Sequence, residues 1–363
     1  MEDVVMRSWR GVRVFLTGHT GFKGGWLALW LASEGAIVRG FALDPFTSPS
    51  LFEAARISDW VEDIRGDIRN LDALDQAMRE FAPELVLHLA AQPLVRLSYA
   101  DPISTYATNV MGTAHLLESV RGLHSVRAVV VVTSDKCYEN REWHRGYRES
   151  DQLGGHDPYS SSKACAEIVS AAYRSSFFSP ESKGALLATA RSGNVIGGGD
   201  WSQDRLIPDL IRGFLAQEPV LIRRPGSVRP WQHVLEPLAG YLTLAGRLLT
   251  GEKPLADAWN FGPHDDDAWP VERIAETMAL RWGPGASWTV DSTPSVHEAG
   301  YLKLDASKAR AELGWRPQLR LSTALDWAVD WYQAWNAGSD MQAFTLDQIA
   351  AYKRLGTTQE SEP

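Results

Sequence analysis

Short apolar runs alternate with amphipathic stretches through the first half of the chain. Val12–Leu16, Ala36–Leu43, Glu62–Asp67, Leu85–Ala90, Val129–Val132 and Leu186–Ala190 read as strands. The four valines of the fifth run are β-branched, with no polar residue between them, as in a strand covered on both faces. Gly25–Glu34, Leu71–Phe81, Asp101–Arg121 and Pro158–Phe178 carry helical spacing. Asp101-Pro102 supplies a cap followed by Pro at the first helical position, and Pro83 closes the helix before it. Strand–helix alternation of this kind builds right-handed βαβ units on a parallel sheet. The expected fold class is α/β: a Rossmann-type doubly wound parallel sheet with a smaller, mixed α/β lobe.

Past Arg191 the alternation loosens. Helices are predicted over Arg205–Gln217, Leu235–Leu249, Val271–Arg281, Ser307–Leu313, Thr323–Trp335 and Thr345–Tyr352, with strands at Val220–Arg223 and Ala258–Phe261. The expected organisation is a dinucleotide-binding domain at 1–191, with 234–263 returning to it. A second lobe comprises 192–233 and 264–356, and 357–363 form a disordered tail. No internal repeat is visible.

Composition narrows the function classes. The 363 residues are 44% hydrophobic and 22% charged, as in an ordinary globular protein. A net charge of −9 without a long basic run argues against nucleic acid or an anionic membrane surface as partner. Cys137 and Cys165 lack metal-ligand spacing and read as free thiols in a reducing compartment. The acidic N-terminus has no apolar signal-like stretch, and no 18-residue apolar run exists, so a cytoplasmic location is expected.

The loops between elements carry the chemistry. Gly18-x-x-Gly21-x-x-Gly24 lies between a predicted strand and a predicted helix, where glycines let backbone approach a pyrophosphate. Thr20, Phe22 and Lys23 belong to the same candidate cofactor turn. Asp44 ends the second strand 20 residues after Gly24, where a carboxylate meets a ribose diol and repels a 2′-phosphate; NAD is therefore preferred over NADP. Asp67 and Ile68 are candidates for the adenine, and Ala90, Ala91 and Gln92 for the nicotinamide ribose. The plain alternatives are tight turns at the glycines, Asp44 and Asp67, and simple packing at Ala90-Ala91. The valine strand opens into Thr133-Ser134-Asp135-Lys136, and Tyr159 and Lys163 share a face of the next helix. A phenol is a poor base at neutral pH, but a nearby ammonium and a cationic nicotinamide ring favour phenolate. Tyr159 is thus the candidate base for a hydroxyl whose carbon loses hydride, with Lys163 beside it and Ser134 sharing the hydrogen bond.

Thr-Gly-x-x-Gly-Phe-x-Gly, Ala-Ala-Gln, the strand-end Ser134 and Tyr159-x-x-x-Lys163 together resemble the extended short-chain dehydrogenase/reductase family. Most of the chain is covered. The motifs Gly-His-Thr-Gly-Phe-Lys-Gly, Thr-Ser-Asp-Lys-Cys-Tyr, Gly-Asn-Val-Ile-Gly-Gly-Gly-Asp-Trp and Arg-Pro-Trp-Gln-His-Val are similar to its CDP-hexose 4,6-dehydratases. The resemblance implies a tightly held NAD, a CDP-hexose substrate, and a role in bacterial deoxysugar, O-antigen and lipopolysaccharide synthesis. It implies C4 oxidation, elimination of water across C5–C6, and return of hydride to C6. The related dTDP-sugar enzymes carry Thr-Asp-Glu where this chain has Ser134, Asp135 and Lys136. The resemblance gives Asp135 the acid role at the C6 hydroxyl. It leaves Lys136 as either a neutral base at C5 or a cation steadying the enolate.

The resemblance also puts Asn194 on the sugar or diphosphate. Arg205, Arg229 and Arg223-Arg224 lie in irregular basic segments, and an Arg suits a pyrophosphate. Trp231 is a candidate stacking surface for a pyrimidine, or core. His88 and His233 read as candidates on composition alone, His88 more as a core histidine. Asp265-Asp266-Asp267 reads as a solvated loop, and no metal is expected. A homodimer is implied, through helices near 101–121 and 158–178, with Val110/Ala114/Leu117 and Ala166/Val169/Tyr173 as their apolar faces. The rivals are a nucleotide-sugar epimerase, a dehydratase of dTDP-, GDP- or UDP-hexoses, and a non-catalytic dinucleotide sensor.

Overall fold

The structure is a computed structural model that describes residues 8–178, 184–291 and 300–359. Seven parallel strands form the central sheet: β1 (Arg13–Thr17), β2 (Ile37–Ala42), β3 (Glu62–Arg65), β4 (Leu85–His88), β5 (Ala128–Val132), β6 (Leu186–Ser192) and, after a long excursion, β10 (Ala258–Phe261). Their order is β10-β6-β5-β4-β1-β2-β3. The chain winds outward in both directions from the β1–β4 junction, which is the topological switch point where ligands bind in open α/β sheets. The junction is in register, with Val14 opposite Leu85 and Thr17 opposite His88.

Alternation along the strands divides the core. Val14, Leu16, Leu85, Leu87, Ala128, Val130 and Val132 point to one face. Phe15, Val86, Val129, Val131 and Leu187 point to the other, against α3 (Leu71–Phe81), α6 (Gly112–Arg121) and α7 (Pro158–Ser176). The first face is covered by α1 (Phe22–Ser33) and α9 (Leu235–Leu249), and its core runs on without a break into the second lobe. That lobe holds two short parallel pairs, β7 (Val195–Ile196) with β9 (Gln232–His233) and β8 (Val220–Ile222) with β11 (Trp288–Val290). Around them lie α8 (Leu206–Ala216), α10 (Val271–Trp282), α11 (Leu321–Asn336) and α12 (Met341–Gln359).

Several boundaries differ from the sequence expectation. The stretch 102–121 is helical throughout, but as α5 (Pro102–Tyr106) and α6 joined by a wide π turn at Ala107–Met111. Two short helices, α2 (Leu51–Ala54) and α4 (Val95–Ala100), were not expected. They are too short to show a periodicity. Helix α12 runs to Gln359, past the point where a disordered tail was expected to begin, and 360–363 lie outside the described residues. The expected interface stripes turn largely inward, with Val110 and Ala114 half-buried. Leu117 and Ala166 are buried, and Val169 and Tyr173 pack on the core. Ile103 and Ile168 on the same helices are 77% and 56% exposed, and Met111 is exposed beside them. Both faces of these helices are apolar, so helical spacing alone did not show which one turns inward.

Candidate active site

The glycine turn is shaped by close approach. Gly18 leaves β1 at φ +80°, and a Cβ on it would stand 2.7 Å from the Ala90 nitrogen at the end of β4. A Cβ on Gly24 would stand 2.0 Å from the Gly18 carbonyl oxygen, so only glycine lets α1 begin so close to the turn. Around Gly21 a Cβ would meet only the Gly18 carbonyl oxygen, at 3.4 Å. Gly21 is the N-cap of α1, and no side chain caps that helix. Free N–H groups at an open helix start favour an anion, so the turn fits a pyrophosphate.

The remaining cofactor candidates divide. Thr20 Oγ1 donates to the Leu43 carbonyl at 2.9 Å and ties the turn to the end of β2. Asp44, the next residue, has a side chain 90% exposed, 3.6 Å from Arg65. That carboxylate is open to a diol. Phe22 packs on the core. Asp67 turns its carboxylate onto Arg69 Nε at 2.9 Å, and this bond holds it below its usual range. Ile68 is buried against Gly112, and its carbonyl meets His115 Nδ1 at 3.1 Å. Ala90 donates its N–H to Thr17 Oγ1 at 3.1 Å, leaving a small side chain at the switch point; Ala91 follows it, half-buried. The Gln92 amide holds its own loop: Nε2 donates to Leu94 O at 3.1 Å and Thr105 Oγ1 at 2.9 Å, and Oε1 accepts from Leu94 N.

The chemical groups gather where β5 ends. Ser134 caps a single 3₁₀ turn, Asp135–Cys137; its Oγ accepts from Lys136 N at 3.2 Å and donates to Asp135 Oδ1 at 3.0 Å. Asp135 is buried and its Oδ2 has no protein partner. Burial raises its pKa against the pull of Lys136, Ser134 and Arg229, which suits a carboxyl that must carry a proton to give away. Tyr159 lies in the first turn of α7, capped by Asp157, whose Oδ1 accepts from Ser160 N at 2.9 Å. Burial pushes the phenol up to about 12, opposed by a hydrogen bond with Ser134 and by the Arg205 guanidinium. Lys163 is drawn down to about 8 by burial, with Glu167 acting against it.

Lys23 does not turn to solvent from the glycine loop. Its Nζ crosses to the end of β6 and donates to Ser192 Oγ at 2.9 Å and to Tyr241 OH on α9 at 3.2 Å. Tyr241 OH donates to Ser192 Oγ at 2.9 Å. Burial, with Lys163 and Arg205 nearby, brings Lys23 down to about 7, and Asp135 pulls the other way. Ser192 and Tyr241 were not expected here; neither stands in a motif, and only the fold brings β6 and α9 to the start of α1.

Among the substrate-binding candidates, Arg205 pairs with Asp200 at 2.9 Å and its charge reaches Tyr159. Arg229 Nη1 donates to Val228 O at 3.0 Å, and its charge reaches Asp135. Asn194 is half-buried, and its carbonyl accepts from Gln232 N at 3.0 Å. Trp231 is buried in the main core, with its indole N–H unpaired.

Both candidate histidines are core residues. Thr17 Oγ1 accepts from two backbone N–H groups, so its proton goes to His88 Nδ1 at 2.7 Å, and Nε2–H faces Thr113 Oγ1 at 3.2 Å. Burial takes His88 down to about 3. His233 is buried between Trp26 and Trp327 and lowered likewise. Asp267 is buried beside Arg320 at 3.2 Å, whereas Asp265 and Asp266 are exposed. No cluster of metal-ligating side chains occurs among the described residues. None of their helices is long and apolar enough to cross a membrane.

Comparison with known proteins gives consistent matches. Residues 15–235 match the family model of GDP-mannose 4,6 dehydratase. A CDP-glucose 4,6-dehydratase from Salmonella typhimurium is 56% identical over 352 residues, 96% of this chain and 98% of that protein. A dTDP-glucose 4,6-dehydratase from Xanthomonas campestris is 28% identical, covering 93% and 98%. Among solved structures, dTDP-glucose 4,6-dehydratase from Bacillus anthracis in complex with NAD superposes with a TM-score of 0.74 at 20% identity, over 92% of this chain and all of that one. MoeE5 in complex with UDP-glucose and NAD superposes at 0.74 with 25% identity, over 89% and 99%.

Proposed function

The chain belongs to the GDP-mannose 4,6-dehydratase family, and from that premise we propose that it is an NAD-dependent lyase acting on CDP-D-glucose. Its products are CDP-4-keto-6-deoxy-D-glucose and water. The observation that carries this reading is the 56% identity over 96% of the chain to a CDP-glucose 4,6-dehydratase. The site chemistry agrees with it.

Bound NAD would supply the hydride acceptor and donor. The open turn at Gly21 and the exposed Asp44 fit its pyrophosphate and ribose. Tyr159 takes the proton of the C4 hydroxyl, with Ser134 and Arg205 lowering the cost of phenolate. The resulting C4 ketone acidifies C5. Asp135, buried and held toward its neutral form, gives a proton to the departing C6 hydroxyl. Lys136, next to it, acts at C5, as the neutral base that takes its proton or as the cation beside the enolate while another group takes that proton. Arg205 and Arg229 hold anionic substrate groups, and Asn194 faces the sugar or diphosphate.

The reading extends to three finer points. A homodimer would cover the apolar residues that α5, the π turn and α7 expose, Ile103, Met111 and Ile168. A cytoplasmic location fits the free thiols of Cys137 and Cys165, and a place in O-antigen and lipopolysaccharide sugar supply is what the resemblance implies. A panel of CDP-, dTDP-, GDP- and UDP-hexoses, read by mass spectrometry for loss of water, tests the function. Loss of water from another nucleotide's hexose, with CDP-glucose untouched, refutes it.

A further inference from the structure

A buried ion pair stands directly behind the catalytic triplet. Glu167 Oε2 and Arg191 Nη2 are 2.7 Å apart, with side chains 2% and 4% exposed. Glu167 follows Lys163 by one turn on α7, and Arg191 lies near the end of β6. Their other bonds reach both ends of Ser134-Asp135-Lys136. Thr133, the residue before the triplet, donates its hydroxyl to Glu167 Oε1. Tyr138, two residues after Lys136, accepts from Arg191 Nη1 at 2.7 Å and donates to Asn260 Oδ1 at 2.7 Å. Thr189 Oγ1 completes the carboxylate at 2.7 Å, and Arg191 Nη1 also reaches the Glu149 carbonyl at 3.2 Å.

Such a pair adds little net stability over an apolar core of equal volume, so its value lies in geometry. The planar guanidinium fork fixes the carboxylate on one side and the Tyr138 hydroxyl on the other. Thr133 and Tyr138 are thereby tied to one rigid unit, and the 3₁₀ turn between them has little freedom to shift. Opposing burial, Arg191 and the three hydrogen bonds hold Glu167 in its charged form, below its usual range.

We propose that Glu167 and Arg191 are positioning residues that set Asp135 and Lys136 against C6 and C5 of the substrate, so that elimination depends on them more than binding or C4 oxidation does. The proposal rests on the dehydratase reading of the same site. Tyr159 and Lys163 are seated by α7 itself, and Ser134 follows Thr133, whose backbone N–H donates to the Ala190 carbonyl at 2.9 Å, whereas Asp135 and Lys136 stand further out on the turn that this pair tethers.

The test uses full-length NAD-loaded protein and two variants, Tyr138→Phe and Glu167→Gln. Tyr138→Phe removes one tether and leaves no buried charge unpaired. For both, three rates are read with CDP-glucose: formation of bound NADH, uptake of deuterium at C5 from D₂O, and loss of water. Misplacement of about 1 Å costs on the order of 100-fold at a reacting group, so water loss and C5 exchange should fall at least about tenfold. NADH formation and KM should change by less than about threefold, so that bound NADH accumulates. Wild-type rates of water loss in Tyr138→Phe overturn the proposal. So does a proportional fall in all three rates, or loss of the folded circular-dichroism signal in both variants, since each marks a merely structural role. If the wild type dehydrates none of the nucleotide hexoses, the functional reading falls and the proposal with it. Normal wild-type dehydration with unaffected variants overturns the positioning role alone.

Discussion

The Lys163 ammonium donates to the Val132 carbonyl at 3.4 Å, not to the Tyr159 phenol one turn earlier on the same helix. The cation that lowers Tyr159 is Arg205, from the second lobe, working against burial. Acid–base help from a positioned group is worth about 10²–10⁴-fold. Tyr159→Phe should therefore lose turnover by that factor while keeping its fold and NAD content. Removing a cation disfavours phenolate, so Arg205→Gln should move the rising limb of the rate–pH profile to higher pH, by roughly one unit. An unmoved limb, measured on kcat/KM, would leave Arg205 to substrate binding alone.

Lys136 follows the buried Asp135, and in the proposed function oxidation at C4 depends on Tyr159, Lys163 and Ser134. Lys136→Ala should form bound NADH on addition of CDP-glucose, stall before water leaves, and exchange C5 hydrogen with D₂O far more slowly than wild type. Lys136→Glu should recover part of the rate if proton removal is its only task. Full dehydration by Lys136→Ala would place the base elsewhere.

Asp44 stands exposed beside Arg65. Asp44→Ala removes the partner of a ribose diol and leaves the arginine free to meet a 2′-phosphate. NAD affinity should fall and the gap to NADP narrow, measured by titration of the stripped protein. A wild type that prefers NADP would contradict the assignment.

Glu236 lies at the start of α9, and burial raises it to about 7, although Leu319 N, Gln318 N and Tyr352 OH all donate to it. An acid whose folded-state pKa is raised binds its proton more tightly when folded. The folded state is therefore favoured at low pH, and stability is lost as pH rises from about 4.5 toward 7, by roughly 3 kcal/mol for that shift. Thermal melts at pH 5 and pH 8 should show the decline in wild type and a flatter profile in Glu236→Gln. Parallel profiles would count against the shift.

Ile168, on the outward face of α7, should lie in the dimer interface if one forms there. Light scattering should give a dimer for the wild type and a monomer for Ile168→Asp, since a buried unpaired carboxylate is costly. A monomeric, active wild type would remove the dimer from the functional reading.

Much of this arrangement was legible locally. The valine run, the glycine spacing and the Tyr159–Lys163 pair are short-range patterns, and each lies where strand and helix periodicity put it. Contacts made across the fold were not. Lys23 reaching Ser192 and Tyr241, or Glu167 meeting Arg191, requires knowing that α1, α7, α9 and β6 converge at the same end of the sheet. Trp231 shows the converse: an aromatic suited to stack on a base is buried in the core, because residue type carries no information on which way a side chain turns.

The position of β10 has a consequence for how the chain is made. Strand β6, buried along its whole length, pairs with β5 on one side and β10 on the other. During synthesis its outer edge has no partner until Phe261 has left the ribosome, after the first part of the second lobe, 192–233, has been made. For that interval the nascent protein carries an apolar parallel edge open to other chains. A fragment cut at 191 would keep that edge for good, so the dinucleotide-binding half should aggregate when expressed alone, and shielding by a chaperone should matter most between the synthesis of residues 192 and 261.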